Sequence, residues 1–131
     1  MKYLLDTVVW MWSVGPSEKI GRAGLEILAN GKAEVYLSAA SSWEIAIKVQ
    51  LGKFDLPDVP GSYLPTRLAE QGIRSLSITQ AHTLGVYDLP RHHADPFDRL
   101  IIAQAIAEKM TVLTSDRIFG KYPVEIVWCG A

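Results

Sequence analysis

The sequence predicts an α/β fold, a three-layer sandwich in which helices cover both faces of a mostly parallel sheet of about five strands. Three observations carry this expectation. Short apolar, β-branched runs alternate with helical patterns along the whole chain. Hydrophobic residues make up 49% and charged residues 21%, a balance that fills a core and excludes wholesale disorder. One helical stretch, Pro96 to Met110, is apolar nearly all round, as a helix buried at the centre of a domain must be. With 131 residues the chain has the size of one domain, and 1–131 reads as a single unit.

The elements follow in order. Lys2 to Leu5 is a short strand, and Val8 to Val14 holds more large apolar residues (Trp10, Met11, Trp12) than one small helix can bury against a sheet. Ser17 to Ala29 sets Ile20, Ala23, Gly24, Ile27 and Leu28 on one helical stripe, stopped by Asn30-Gly31. Glu34 to Leu37 is the next strand. Ala39 to Leu51 carries Trp43, Ala46 and Ile47 at helical spacing and ends at Gly52. Asp55 to Gly61 reads as a loop, because Pro57 and Pro60 interrupt a helix there. Ser62 to Gln71 and Thr79 to Val86 are short helices flanking a strand at Ile73 to Ile78. After the apolar helix come strands at Thr111 to Thr114 and Val124 to Trp128.

Composition narrows the functional classes. The lone Cys129 removes an internal disulfide framework and a Cys-rich zinc site, and fits a reducing cytosol. The longest apolar run, Leu100 to Ala107, contains Gln104 and is far too short to span a membrane. Asp6 interrupts what would have to be a signal peptide's apolar stretch, so the expectation is a soluble cytoplasmic protein. Thirteen basic against 14 acidic residues argue against nucleic-acid binding by bulk charge. A mildly basic surface around an acidic pocket is still compatible with that sum. His82, His92 and His93 lack metal-site spacing, and His92-His93 reads as part of a solvated turn after Pro90. The four tryptophans read as core or interface rather than base-stacking residues.

The acids are the informative feature. In an open parallel sheet, ligands collect beyond the carboxyl ends of the strands. Asp6 directly follows the first strand, and Asp116 follows Thr111 to Thr114 with Ser115 between. Glu44 lies within two turns of the strand ending near Leu37, and Asp98 sits in the first turn of the apolar helix. These four carboxylates can converge on one sheet edge, where their mutual repulsion calls for a cation. All-oxygen ligation suits magnesium or manganese rather than zinc. Each acid also has a structural reading. Asp6 can begin a helix, Glu44 stands at capping-box spacing from Ser41, Asp95-Pro96 is an N-cap followed by proline, and Asp116 can cap a short turn. Ser38 with Ala39-Ala40 lets the second of these helices start earlier, which frees Glu44.

At these residues the chain resembles PIN-domain ribonucleases, in particular VapC-type toxins of type II toxin–antitoxin pairs. The matching segments are Leu4-Leu5-Asp6-Thr7, the stretch Leu37 to Lys48 with its Ser-Ser-Trp-Glu-Ile core, Asp95-Pro96-Phe97-Asp98-Arg99 through Ala105, and Leu113-Thr114-Ser115-Asp116. Phe119, Tyr122 and Ile126-Val127-Trp128 also look like the family's last strand and its approach. Ala94 departs from the pattern, standing where related sequences often carry a basic residue before the Asp-Pro.

The resemblance implies one PIN domain with a Rossmann-like sheet and hydrolysis of RNA phosphodiesters dependent on Mg²⁺ or Mn²⁺. Asp6 would be the central ligand, Glu44 and Asp98 would complete the site, and Asp116 would bind a second ion or orient water. Thr7 and Ser115 would hold these carboxylates by hydrogen bonds. Asp95 is a further residue near the site, and Arg99, Lys48 and Arg117 are candidate phosphate contacts. The implied partners are single-stranded or looped RNA, a helical VapB-type antitoxin bound at the Val8 to Val14 region, and a second copy in a homodimer. Two enzyme-like alternatives fit less well. A phosphatase with an aspartyl nucleophile wants a second carboxylate where Val8 stands, and a phospho-receiver wants paired acids after the first strand. A non-catalytic PIN-like binding module with a structural ion is the remaining alternative.

Overall fold

The computed structural model describes residues 1–130. Its sheet is built from β1 (Lys2–Leu5), β2 (Glu34–Ser38), β3 (Arg74–Leu76), β4 (Thr111–Thr114) and β5 (Ile126–Trp128). Every pairing is parallel, in the spatial order β3-β2-β1-β4-β5. The helices are α1 (Thr7–Ser13), α2 (Arg22–Ala29), α3 (Ala39–Gln50), α4 (Pro60–Gln71), α5 (Gln80–Gly85) and α6 (Pro96–Glu108). Short 3₁₀ turns lie at Ser17–Lys19, Val86–Asp88 and Arg117–Lys121.

Successive strand residues point to opposite faces, and the core divides accordingly. Leu5 and Leu113 join Val9, Trp10, Leu37, Ile45, Leu64 and Leu68 on one face. Leu4 and Val112 join Ile101, Ile102, Met110 and Phe119 on the other. β4 is buried along its whole length, which is why Thr111 to Thr114 lacks a polar–apolar alternation. Gln104, the polar residue in the apolar helix, is buried but satisfied: its amide accepts from Ser38 Oγ (2.5 Å) and donates to the Ser77 carbonyl (3.3 Å).

Three local features differ from the sequence reading. The stretch Ser17 to Ala29 is broken in two, because Gly21 adopts an extended conformation (φ −62°, ψ 159°) and donates its N–H to the Cys129 carbonyl (3.0 Å). The break lets α2 press on β5 so closely that a Cβ on Gly24 would meet Cys129 Sγ at 2.6 Å. Pro60 does not belong to a loop; it is the first residue of α4, where its fixed φ suits a helix start and its missing N–H costs nothing. Trp10 is wholly buried with its indole N–H on Gln71 Oε1 (2.9 Å) and belongs to the core, while Met11 and Trp12 beside it are only partly buried and Val8 is exposed. Trp43, in contrast, is 59% exposed and lies edge-on to Phe97.

No helix is long and apolar enough to cross a membrane among the described residues.

Candidate active site

The strand order reverses between β1 and β4, and open α/β sheets bind ligands at such a switch point. Asp6 leaves β1 there, and its backbone N–H still bonds the Leu113 carbonyl of β4 (2.9 Å). Asp116 leaves β4 two residues beyond its end. Glu44 reaches the same place from α3, which begins at Ala39 with Ser38 as its cap (Oγ to the Ala40 N–H, 2.9 Å). The Ser41–Glu44 spacing therefore lies inside the helix, and Glu44 is free of capping. Asp98 comes from the first turn of α6.

Asp98, Asp116 and His93 bring ligand atoms within 4.8 Å of one another, and the charges of Asp6 and Glu44 act on Asp98. Burial pushes Asp98 up to about 8, reinforced by the charges of Asp6, Asp95, Glu44 and Asp116. Asp6 is raised to about 6, mainly by burial, against the pull of a hydrogen bond from Thr114. That bond, Thr114 Oγ1–H to Asp6 Oδ2 at 2.8 Å, is buried, and the same Oγ1 accepts the Asp116 N–H (3.0 Å). One β4 hydroxyl thus ties two of the acids together. Lys48 lies 2.6 Å from Glu44 Oε2, one helical turn on, and its own pKa is raised by that hydrogen bond. Glu44 Oε1 is buried and finds no hydrogen-bond partner among the described residues.

A residue that the sequence reading had assigned to solvent completes the cluster. His93 is folded inward, with Nε2 at 2.9 Å from Asp116 Oδ2 and 3.0 Å from Asp98 Oδ2. Its Nδ1 accepts the Asp95 backbone N–H (3.1 Å), and its own backbone N–H donates to Tyr122 Oη (2.7 Å). The only sequence signal was its place two residues before the Asp-Pro step; spacing rules for metal ligands are blind to a loop that folds back on a strand end. His82, by contrast, is structural: it closes a capping box with Thr79 and meets Glu108 through Nε2 (2.8 Å).

The remaining predicted residues divide. Asp95 caps α6, accepting the N–H groups of Phe97 (2.8 Å) and Asp98 (3.1 Å), while its charge is felt at Asp98 and Lys48. Thr7 does not hold a carboxylate; its hydroxyl donates to Ser41 Oγ (2.8 Å) and pins α1 to α3. Nor does Ser115 hold one among the described residues, since the inward-pointing Thr114 takes that part. Arg99 makes no ion pair with these acids among the described residues and is spent on the backbone carbonyls of Pro90 (2.9 Å) and Val86 (3.1 Å), with longer bonds to the His93 carbonyl and Tyr122 Oη. Arg117 stacks on Trp128, 4.4 Å from the ring centre. Of the three basic candidates, Lys48 alone touches the acid cluster.

The family model described as PIN domain matches residues 3–125. The chain belongs to the PIN domain family. Ribonuclease VapC16 of Mycobacterium tuberculosis is 44% identical over 57 residues, a stretch amounting to 44% of this chain and 40% of that protein. Among solved structures, VapBC2 from Rickettsia felis, bound to a DNA fragment from their promoter, matches with a TM-score of 0.75 at 20% identity, covering 98% of this chain and 99% of that one. FitAcB from Neisseria gonorrhoeae matches with a TM-score of 0.62 at 25% identity, covering 95% of each chain. These structural likenesses establish the PIN fold.

A divalent cation fits the residues present in this PIN domain. Four carboxyls in one neighbourhood, one of them pushed to about 8, are a site short of positive charge. The unpartnered, buried Glu44 Oε1 is a lone pair with nothing to bind, and such orphans are rare in proteins. A carboxylate donor set suits a hard cation with oxygen ligands.

Proposed function

We propose that this PIN-domain protein is a metal-dependent endoribonuclease, the toxin of a toxin–antitoxin pair, with Mg²⁺ or Mn²⁺ held by Asp6, Glu44, Asp98 and Asp116. The reading is supported by the charges of Asp6, Glu44 and Asp116 acting on Asp98 at the switch point, with Glu44 Oε1 left unpartnered. The name of the similar ribonuclease VapC16 supports the activity, and the toxin–antitoxin complexes among the structural neighbours support the partner. That partner is a VapB-type antitoxin. The setting is the cytoplasm, with the toxin as a homodimer.

When bound, the cation supplies neutralisation of the scissile phosphate, a more acidic water and stabilisation of the leaving oxygen. The protein's own residues do the rest. Thr114 fixes the direction of Asp6, and the β1–β4 pairing fixes its height at the sheet edge. Lys48, held beside Glu44 and partly exposed, is the cation placed to meet a phosphate at the mouth. Asp98 keeps a proton at neutral pH in the metal-free protein and gives it up as positive charge arrives. RNA enters as a single strand or loop, because a duplex is too wide and stiff to bend a phosphate into so recessed a cluster.

The test is cleavage of single-stranded RNA by the wild type and by Asp6→Asn, with Mn²⁺ and with chelator. Cleavage that needs the ion and is lost in Asp6→Asn is expected. Chelator-resistant cleavage, or equal activity in the variant, refutes the reading.

A further inference from the structure

Two nitrogen atoms of one imidazole carry the argument. His93 Nδ1 accepts the backbone N–H of Asp95, so in this geometry the ring's proton cannot sit on Nδ1. It sits on Nε2, which faces Asp116 Oδ2 at 2.9 Å and Asp98 Oδ2 at 3.0 Å. Ligating a metal through Nε2 would require the opposite tautomer, with an Nδ1–H pointed at the Asp95 N–H, donor against donor. The ring cannot easily turn to avoid that clash. Its backbone N–H is tied to Tyr122 Oη (2.7 Å), its face meets Phe119 edge-on at 6.0 Å, and Arg99 braces the loop through the Pro90 and Val86 carbonyls.

We propose that His93 is a positioning residue of the acid cluster: an Nε2–H donor that holds Asp116 while standing 3.0 Å from Asp98, sets the gap a cation fills, and is not itself a ligand. Asp116 shows how this works. Its Oδ1 accepts the Ile118 N–H (2.9 Å) and its Oδ2 faces His93, so both oxygens are pinned and the carboxylate has one orientation. Each carboxylate oxygen has two lone pairs, so the bond to His93 leaves Oδ2 a free direction for a cation. Asp98 Oδ2 lies 3.0 Å from the same Nε2, so the imidazole limits where that carboxyl can sit while its one N–H goes to Asp116. Residues that orient metal ligands in this way are worth 10- to 100-fold in affinity.

This inference rests on the proposed metal site, and its test needs no RNA. Mn²⁺ binding is measured by calorimetry for wild type, His93→Gln, His93→Asn and His93→Ala. The metal-free melting temperature of each variant serves as the folding control. Ring ¹⁵N shifts of His93 in the wild type are recorded with and without Mg²⁺. The expected result is a ring that keeps its Nε2–H tautomer when Mg²⁺ binds. Affinity for Mn²⁺ should fall roughly 10- to 100-fold in His93→Ala. His93→Gln, whose amide N–H reaches where Nε2 stands, should recover most of that loss, and the shorter His93→Asn should not. A folded His93→Ala with wild-type affinity overturns the inference alone. So does a switch to the Nδ1–H tautomer on Mg²⁺ binding, which would make His93 a ligand. Failure of the wild type to bind either ion overturns the metal reading, and this inference with it.

Discussion

The acid cluster has two halves built by different means. Asp6 and Glu44 are 4% and 6% exposed, rooted in a strand end and on the buried face of the second turn of α3, and backed by Thr114 and Lys48. Asp98 and Asp116 sit nearer the solvent, at the start of α6 and in the turn after β4, and His93 is their common support. The first half is positioned by the core and would keep its geometry as long as the sheet is intact. The second is positioned by a loop that must itself be held. A site assembled this way has one rigid wall and one that can be tuned without disturbing the fold.

The largest effects should come from removing charge on either wall. Asp6→Asn and Asp98→Asn are each expected to keep the fold and to lose RNA cleavage by at least about a hundredfold. They should differ in metal-free stability. Asp98 is the acid raised furthest, to about 8, so its replacement relieves a larger cost of burying a charge, and of repulsion, at high pH than that of Asp6, raised to about 6. Thermal melts in chelator at pH 9 check this: a melting temperature for Asp98→Asn below that of Asp6→Asn would reverse the comparison.

Metal loading comes next. Saturation at 100 times the dissociation constant should stabilise the wild type by about 2.7 kcal/mol. The pH dependence follows from the raised carboxyls. Between about 4 and 8 the folded, metal-free protein keeps a proton on Asp98 that the unfolded chain, at its ordinary 3.8, has released. Metal-free stability should therefore fall as pH rises through that window and level off above it. Asp6 adds the same trend, ending near 6. Cation binding displaces those protons, so affinity for Mn²⁺ should rise over the same range. Calorimetry from pH 5.5 to 8.5 checks it. An affinity flat with pH would mean that Asp98 is already ionised without the metal.

Thr114→Val tests the rigid wall together with its one tie to the second. The substitution keeps shape but removes the donor to Asp6 and the acceptor for the Asp116 N–H, at a cost of roughly 1 to 3 kcal/mol. Unlike substitutions at His93, it should lower both the melting temperature and metal affinity. Metal affinity lost with no change in melting temperature would show that the first wall is no more tied to the core than the second.

The contrast between the walls also describes what the sequence reveals. The β1, α3 and β4 boundaries and the places of Asp6, Glu44 and Asp116 follow from periodicity, because they depend on which face of a strand or helix is buried. Ser38 capping α3 was readable from Ala39-Ala40, and it decided that Glu44 was free. What escaped were contacts made by loops. His93 looked solvated because nothing in local spacing shows the chain after Pro90 returning to β4. Arg99 looked like a phosphate contact because a guanidinium's partners here are carbonyls from two turns, which a sequence does not display. Thr114 and Ser115 are adjacent hydroxyls, and only the register with β1 shows that Thr114 is the one that meets Asp6.

The smallest effect is expected at Asp95, and it separates capping from catalysis within one turn of α6. Asp95 and Asp98 are three residues apart on one helix, both acidic, both near Lys48. Yet Asp95 Oδ1 is fully engaged by the Phe97 and Asp98 N–H groups, while Asp98 faces His93 and the other acids. Asparagine caps a helix about as well as aspartate. Asp95→Asn should therefore keep the fold and most of the cleavage, with a modest change in metal affinity as one of the charges acting on Asp98 disappears. Asp95→Ala loses the cap and should cost about 1 kcal/mol. It should also disturb the second wall slightly, since the same backbone N–H that ends the loop fixes the His93 tautomer. Melting temperatures and Mn²⁺-dependent rates of the two variants, set beside Asp98→Asn, decide the matter. Loss of activity in Asp95→Asn equal to that in Asp98→Asn would make Asp95 a member of the metal site rather than the cap that aims the helix at it.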